Sequence, residues 1–222
     1  MDQLIKLNNL TIFRDRVARL VQFASRVVWH ITEKYSLMSK HSVEKIKLLE
    51  FHLAMFRRLL RLGRCFDTLY SALPLLHHPD KMVQMLVVLT KIAQGMFLLC
   101  DHIVWFGRVG LTEVDTLHWS GTANRYFFYS IVLMLARDFY EIMQLYDVTK
   151  HSLKNRQMSL TQLVCSNKTV FLDLLKNACD VFIPATGLGY VRFNPGTVGL
   201  FGVMSSAAAL YTIVNPVYKM VP

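Results

Sequence analysis

The sequence predicts an all-α membrane protein with amphipathic N-terminal helices, one central membrane span and one C-terminal transmembrane helix. Hydrophobic residues make up 53% of the 222 residues and charged residues only 18%, which is below the share of about a quarter in soluble domains. Apolar side chains recur at helical spacing in almost every long segment. In addition, no charged residue lies between Arg192 and Lys219.

The chain is basic, and its charge is concentrated near the N-terminus. The formal net charge is +10, and residues 1–81 hold 14 of the 25 lysines and arginines but 7 of the 15 acidic residues. A basic surface suits an anionic lipid surface or a nucleic acid. Because the sequence has no zinc-finger pattern and no RNA-binding motif, we expect a lipid partner and no nucleic acid.

Residues 1–81 form a basic, amphipathic helical region that we interpret as membrane-remodelling. A first helix is predicted from about Thr11 to Lys34, and a second from about Val43 to Ala72. The second has a broad apolar side opposite a cationic strip, the pattern of a helix that lies in the headgroup region. The same spacing equally fits a helix that packs on a protein core. The candidate membrane-binding residues are Lys47, Leu49, Leu53, Phe56, Arg57, Arg58, Leu60 and Arg61.

Residues 82–107 form the central apolar segment. Met82–Phe106 is long enough to span a bilayer, for which about 20 residues suffice, but Lys91 and Asp101 interrupt it. The segment could therefore span, lie in the interface, or line a protein interior. Residues 108–192 are predicted to be a helical middle region, with helices at about 119–148 and 160–182.

Residues 193–218 contain the C-terminal transmembrane helix, predicted from about Val198 to Val214, with aromatic residues on both flanks. Small residues repeat along it, and such faces let helix backbones approach closely in lipid. They predict self-association or docking onto Met82–Phe106, although a small-residue span without a specific partner would look the same. The candidate helix-association residues are Gly199, Gly202 and Ser206.

No motif in the sequence indicates catalysis. The four cysteines have no CxxC spacing, so we expect no disulfide framework, and nothing near the adjacent His77 and His78 completes a metal site. Nucleophile-elbow and phosphate-loop patterns are absent from the sequence. We therefore predict a protein that is not an enzyme and has no cofactor and no metal.

Four stretches resemble the peroxin eleven family, and their order and spacing extend over nearly the whole chain: residues 51–69, 98–111, 124–142 and 174–214. The resemblance implies an integral peroxisomal membrane protein with both termini in the cytosol. It further implies self-association, peroxisome elongation and division, and cooperation with membrane fission factors and a dynamin-like fission enzyme. In this family the N-terminal amphipathic helix, here around Leu49–Leu69, carries the remodelling.

Two further sequence features bear on this resemblance. The segment after Tyr146 is short and lacks the long glycine-rich linker of some animal members. The C-terminal YKMVP is not an SKL-type signal, so targeting through a membrane signal is expected.

The functional prediction is therefore a protein that remodels and elongates the peroxisomal membrane. The alternative is a channel for small metabolites across that membrane, supported by Lys91 and Asp101, because charges within a membrane segment often line a pathway.

Overall fold

The computed structural model describes residues 10–77, 79–152 and 168–215, which are mostly helical and contain no strand. The all-α prediction is confirmed. The helices are α1 (Thr11–Lys34), α2 (Lys40–Leu60), α3 (Arg64–Tyr70), α4 (Lys81–Val109), α5 (Thr116–Ser152), α6 (Lys168–Gly187) and α7 (Pro195–Val214), with a 3-10 turn at Pro74–His77.

The N-terminal helices differ from the prediction at one point. Helix α1 has the predicted bounds, but the helix expected from Val43 to Ala72 is divided into α2 and α3. Gly63, between them, has φ 79°, a left-handed conformation that glycine adopts without strain and that an α-helix cannot continue through. The Ser39 hydroxyl begins α2 by accepting a hydrogen bond from the Ser42 N–H.

Helices α4 and α5 begin slightly before their predicted starts because of aspartate caps. The Asp80 carboxylate accepts hydrogen bonds from the first N–H groups of α4, at 2.8 Å from Met82 N. Asp115 does the same for α5, at 3.0 Å from Leu117 N. A capping carboxylate satisfies N–H groups that have no partner within the helix.

The two C-terminal helices largely follow the prediction. Helix α6 overlaps the predicted 160–182 helix, of which residues 160–167 lie outside the described residues. Helix α7 begins at Pro195, where a missing backbone N–H costs nothing and the fixed φ suits the first turn.

The helices pack in a cycle that brings all four sequence regions together. Helix α1 packs between α2 and α7, α7 packs on α6, α6 on α5, and α5 on α4. The cycle closes where α4 contacts α3 and α2. A polar cavity lies among α1 to α6.

Large apolar side chains cover much of the surface, and several charged side chains lie inside the bundle. Charged residues such as Asp15, Arg19 and Asp180 are buried, whereas many large apolar side chains are exposed. The buried charges are paired with one another or with arginines, as buried charges in proteins usually are. It is the exposed apolar surface that indicates contact with lipid or protein.

Two of the described helices are long and apolar enough to cross a membrane, α4 with 29 residues and α7 with 20. At 1.5 Å per residue they are about 43 and 30 Å long, and the hydrocarbon core of a bilayer is about 30 Å thick. Of the two apolar stretches, 39% and 33% of the residues are buried, and the others are partly or fully exposed. They coincide with the two spans predicted from the sequence.

Candidate membrane-binding face and polar cavity

The apolar side of α2 faces away from the rest of the molecule. Leu49 and Phe56 are 47% and 46% exposed, while Leu53 and Leu60 are half-buried. The exposed apolar surface continues past the break into α3, where Phe66 is 72% exposed. We call this surface the outer face; its exposed members are Leu48, Leu49, Phe51, Phe56, Leu59, Leu62 and Phe66.

The cationic side of α2 faces inwards, which differs from the free strip of charge expected from the sequence. Arg57 donates from Nε to Asp15 Oδ1 at 3.0 Å. Arg58 Nε donates to Asp101 Oδ1 at 2.8 Å, and Arg61 Nη2 lies 2.8 Å from Asp101 Oδ2. These three arginines therefore join α2 to α1 and α4, and their contribution to lipid binding stays a prediction.

Further polar contacts hold α2 against α1. Lys47 Nζ lies 2.9 Å from Glu33 Oε1 and 4.6 Å from the centre of the Trp29 ring. Glu50 accepts hydrogen bonds from Arg26 Nε at 2.7 Å and from Trp29 Nε1 at 2.6 Å. Of the predicted membrane-binding cations, Lys47 is the one closest to the outer surface, with 42% of its side chain exposed.

The polar cavity has a volume of about 250 Å³ and is strongly cationic. Asp15 and Asp101 also line it, together with neutral polar side chains that include Thr68, Ser120 and Asn124. Its arginines come from α1, α2, α3 and the turn after α2: Arg16, Arg19, Arg57, Arg58, Arg61 and Arg64.

Burial and the crowding of like charges both disfavour the charged form of Arg16 and Arg57 in the cavity. Burial, followed by the neighbouring charge of Arg61, lowers the pKa of Arg57 to about 9, although the Asp15 carboxylate acts in the opposite direction. A positive charge in this cavity is therefore less stable than one in water.

The small-residue side of α7 packs against α1. A Cβ atom on Gly199 would lie 2.7 Å from Val27 Cγ2 and 3.2 Å from the Phe23 carbonyl oxygen, and one on Gly202 would overlap the Phe23 ring. The expected docking onto Met82–Phe106 is thus wrong: the partner is α1. Small residues permit close approach, but their spacing carries no information about which helix approaches.

The serines of α7 divide into two roles. Ser206, named from the sequence, donates its hydroxyl to the Gly202 carbonyl oxygen one turn earlier at 2.6 Å. Ser205 instead donates to Asp180 of α6, which also pairs with Arg19 of α1. Sequence reasoning missed this network of three helices, although Asp180 within an apolar stretch of α6 was a possible signal.

Among the described residues, no group of three or more His, Cys, Asp or Glu side chains could hold a metal ion. Cys65, Cys100 and Cys179 are buried free thiols, and Cys165 and His78 lie outside the described residues.

Comparisons with known proteins agree with the resemblance seen in the sequence. Residues 1–214 match the family model described as Peroxisomal biogenesis factor 11 (PEX11). Peroxisomal membrane protein 11B of Bos taurus is 28% identical over the full length of both chains. Peroxisomal membrane protein 11A of Mus musculus is 30% identical over 99% of both. A Dictyostelium discoideum homologue is 22% identical over 95% of this chain and 93% of its own.

No solved structure matches the chain significantly. The family match covers nearly the whole chain, and the relatives are named as peroxisomal membrane proteins. The two apolar helices α4 and α7 fit such a location. The chain therefore belongs to the peroxisomal biogenesis factor 11 family and is an all-α protein of the peroxisomal membrane.

Proposed function

We propose that this protein remodels and elongates the peroxisomal membrane, and thereby promotes peroxisome proliferation and fission, by inserting the outer face of α2 and α3 into one leaflet. The observation that carries the proposal is the orientation of α2. Its apolar residues Leu49 and Phe56 are exposed, while its arginines form ion pairs on the opposite side.

Insertion of this face has a favourable free energy. Full burial of a large apolar side chain contributes about 1.5–3 kcal/mol; most side chains of the outer face are about half exposed, so each contributes about half of that on insertion. A helix lying at the headgroup boundary occupies area in one leaflet. The occupied leaflet then expands relative to the other, which favours curvature and elongation.

The proposal includes an anionic phospholipid surface as the direct partner. Lys40 and Lys45 are exposed near the start of α2 and are available to headgroups, each contributing about 1 kcal/mol near the surface. Arg57, Arg58 and Arg61 would contact headgroups directly only when their pairs with Asp15 and Asp101 open.

Further partners in the proposal are a second copy of the chain, membrane fission factors and a dynamin-like fission enzyme. Gly199 and Gly202 contact α1 within the same chain, so self-association would use a different surface. Two spans, α4 and α7, are compatible with both termini on the cytosolic side. The proposed role is structural rather than enzymatic.

The test is a double substitution, Leu49→Asp with Phe56→Asp, in cells that lack the endogenous protein. Both side chains are exposed, so the substitutions leave the internal contacts of the bundle in place. We expect normal delivery to peroxisomes and a loss of elongation. The matched control is Leu111→Asp with Leu117→Asp, two exposed residues beside the α4–α5 turn, which should elongate peroxisomes normally. Normal elongation by the Leu49 and Phe56 variant would refute the proposal.

A channel for small metabolites is the second candidate function. It is favoured by the charge-lined cavity, to which Asp101 of the apolar helix α4 contributes. The pure protein in planar bilayers should then show an ion-selective conductance that changes on substitution of Lys91 or Asp101. Absence of any conductance would exclude this function.

A further inference from the structure

We propose that the polar cavity is a binding site for a phosphate group, held by the arginines of α1, the end of α2 and α3. This site is independent of the outer face and does not require the remodelling function. The proposal rests on three features of the cavity: its charge balance, the arginines that lack a close carboxylate, and its volume.

The cavity has more positive than negative charge. Six arginines line it, against Asp15 and Asp101, and Asp180 pairs with Arg19 at its edge. The surplus among these nine groups is therefore three positive charges, since 6 − 3 = 3. Charges removed from water need compensation, and although Arg16 and Arg64 are only half-buried, an anion that entered the cavity would relieve this surplus.

Two of the six arginines lack a well-placed carboxylate. Arg16 has no carboxylate within 4.0 Å among the described residues. Arg64 Nη1 lies 3.8 Å from Asp15 Oδ2, and the other oxygen of that carboxylate already receives Arg57 at 3.0 Å. The donors of Arg16 and Arg64 are thus the ones best placed to take a ligand.

A phosphate fits these donors chemically. The guanidinium group presents N–H donors in a planar fork that matches the oxygens of a phosphate or carboxylate, and a phosphate dianion balances more of the surplus than a carboxylate does. Thr68, Ser120 and Asn124 add neutral hydrogen-bonding groups to the lining.

The volume allows more than a bare ion. At about 250 Å³ the cavity is several times the share of one water in the liquid, about 30 Å³. A phosphate with a small attached group would fit, either as a soluble phosphate monoester or as the headgroup of a phospholipid.

The test uses the full-length protein purified in a maltoside detergent, which contains no phosphate. Thermal unfolding and titration calorimetry are measured with inorganic phosphate and with glycerol 3-phosphate, against sodium chloride at matched ionic strength. A second arm adds phosphatidic acid to the micelles, with phosphatidylcholine as its control. A ligand that binds the folded state raises the unfolding temperature.

The informative variant is Arg16→Gln, because it removes a cavity donor without breaking a carboxylate pair. Loss of one charge-assisted hydrogen bond should weaken affinity about tenfold or more. Arg192→Gln is the matched control, since Arg192 is exposed and outside the cavity, and it should bind like the unaltered protein. If Arg16→Gln does not fold, Arg64→Gln removes the other such donor and breaks only the long 3.8 Å contact with Asp15.

Each outcome bears on the proposal. Stabilisation by the soluble phosphates, or by phosphatidic acid alone, with loss in Arg16→Gln would support the site and identify the source of the phosphate. If neither the soluble phosphates nor phosphatidic acid stabilises the protein, the proposal is wrong. It is also wrong if the Arg16→Gln variant binds these ligands as tightly as the unaltered protein does.

Discussion

Helix α1 uses two different kinds of contact on its two sides. Towards α2 the contacts are polar: Asp15 pairs with Arg57, and Arg26 with Glu50. Towards α7 the contact is steric, since Phe23 and Val27 pack directly against the glycines of the C-terminal span. Helix α1 is thus joined to α2, the proposed remodelling helix, by charge pairs, and to α7, the C-terminal span, by close packing.

The difference between the polar α1–α2 contact and the steric α1–α7 contact suggests different roles for α2 and α7. Close packing in lipid depends on shape and dispersion contacts and is insensitive to salt, which suits a permanent anchor. Charge pairs respond to ionic strength when they are exposed, as the Lys47–Glu33 pair is, whereas the Asp15–Arg57 pair is buried and is screened much less. We therefore expect the exposed part of the α1–α2 contact, at Lys47 and Glu33, to be the part that adapts when α2 meets a membrane.

The largest effect in this comparison is expected from Asp15→Asn. The Asp15 side chain is 6% exposed and its partner Arg57 12%, so the substitution leaves a buried cation without its main counter-charge. Breaking a buried pair from one side costs about 3–5 kcal/mol. Denaturant unfolding of the detergent-solubilised protein measures this loss. Glu113→Gln, in the exposed α4–α5 turn, is the control, and equal stability of the two variants would contradict the role assigned to Asp15.

An intermediate effect is expected from Gly202→Leu. Even a Cβ at this position overlaps the Phe23 ring, so α1 and α7 must separate, and overpacking of this kind costs about 1–3 kcal/mol. The variant should insert into membranes but unfold more readily. Ala207→Leu, on the exposed side of α7, should keep its stability. If both variants unfold alike, α7 does not depend on the close contact with α1.

The smallest effect is expected from Glu33→Gln. This residue pairs with Lys47, but the side chains are 53% and 42% exposed, and exposed pairs contribute about 0–1 kcal/mol. The change in unfolding free energy should be under about 1 kcal/mol and should vanish at high salt. A change as large as that of Asp15→Asn would mean that the exposed charge pair, rather than the buried one, holds α2 against α1.

Much of the fold could be predicted from the sequence because it depends on local spacing. The apolar periodicity of α1 and the uncharged run of α7 identify these helices directly. The break at Gly63 was missed because apolar spacing continues through it, and a single glycine inside a helical pattern is often tolerated.

The site could be predicted only in part. Spacing placed Arg57 and Arg58 on one side of α2, but whether that side meets lipid, water or a carboxylate depends on residues far away in the sequence. Asp15 and Asp101 lie 42 and 43 positions from those arginines. Asp101 is the only acidic residue of the apolar helix α4, and Asp15 lies between two arginines of α1. Nothing local in the sequence indicates which distant arginine each one faces.

The central claim is that α2 faces lipid with its apolar side while its arginines face inwards. Spin labels at Leu49, Phe56 and Glu113, one at a time in the reconstituted protein, test it through their accessibility to oxygen and to a water-soluble nickel complex. Leu49 and Phe56 are exposed on the outer face, so their labels should be reached by oxygen and not by nickel, whereas the label at Glu113, exposed in the α4–α5 turn, should be reached by nickel. Labels at Leu49 and Phe56 as accessible to nickel as the one at Glu113 would contradict the account.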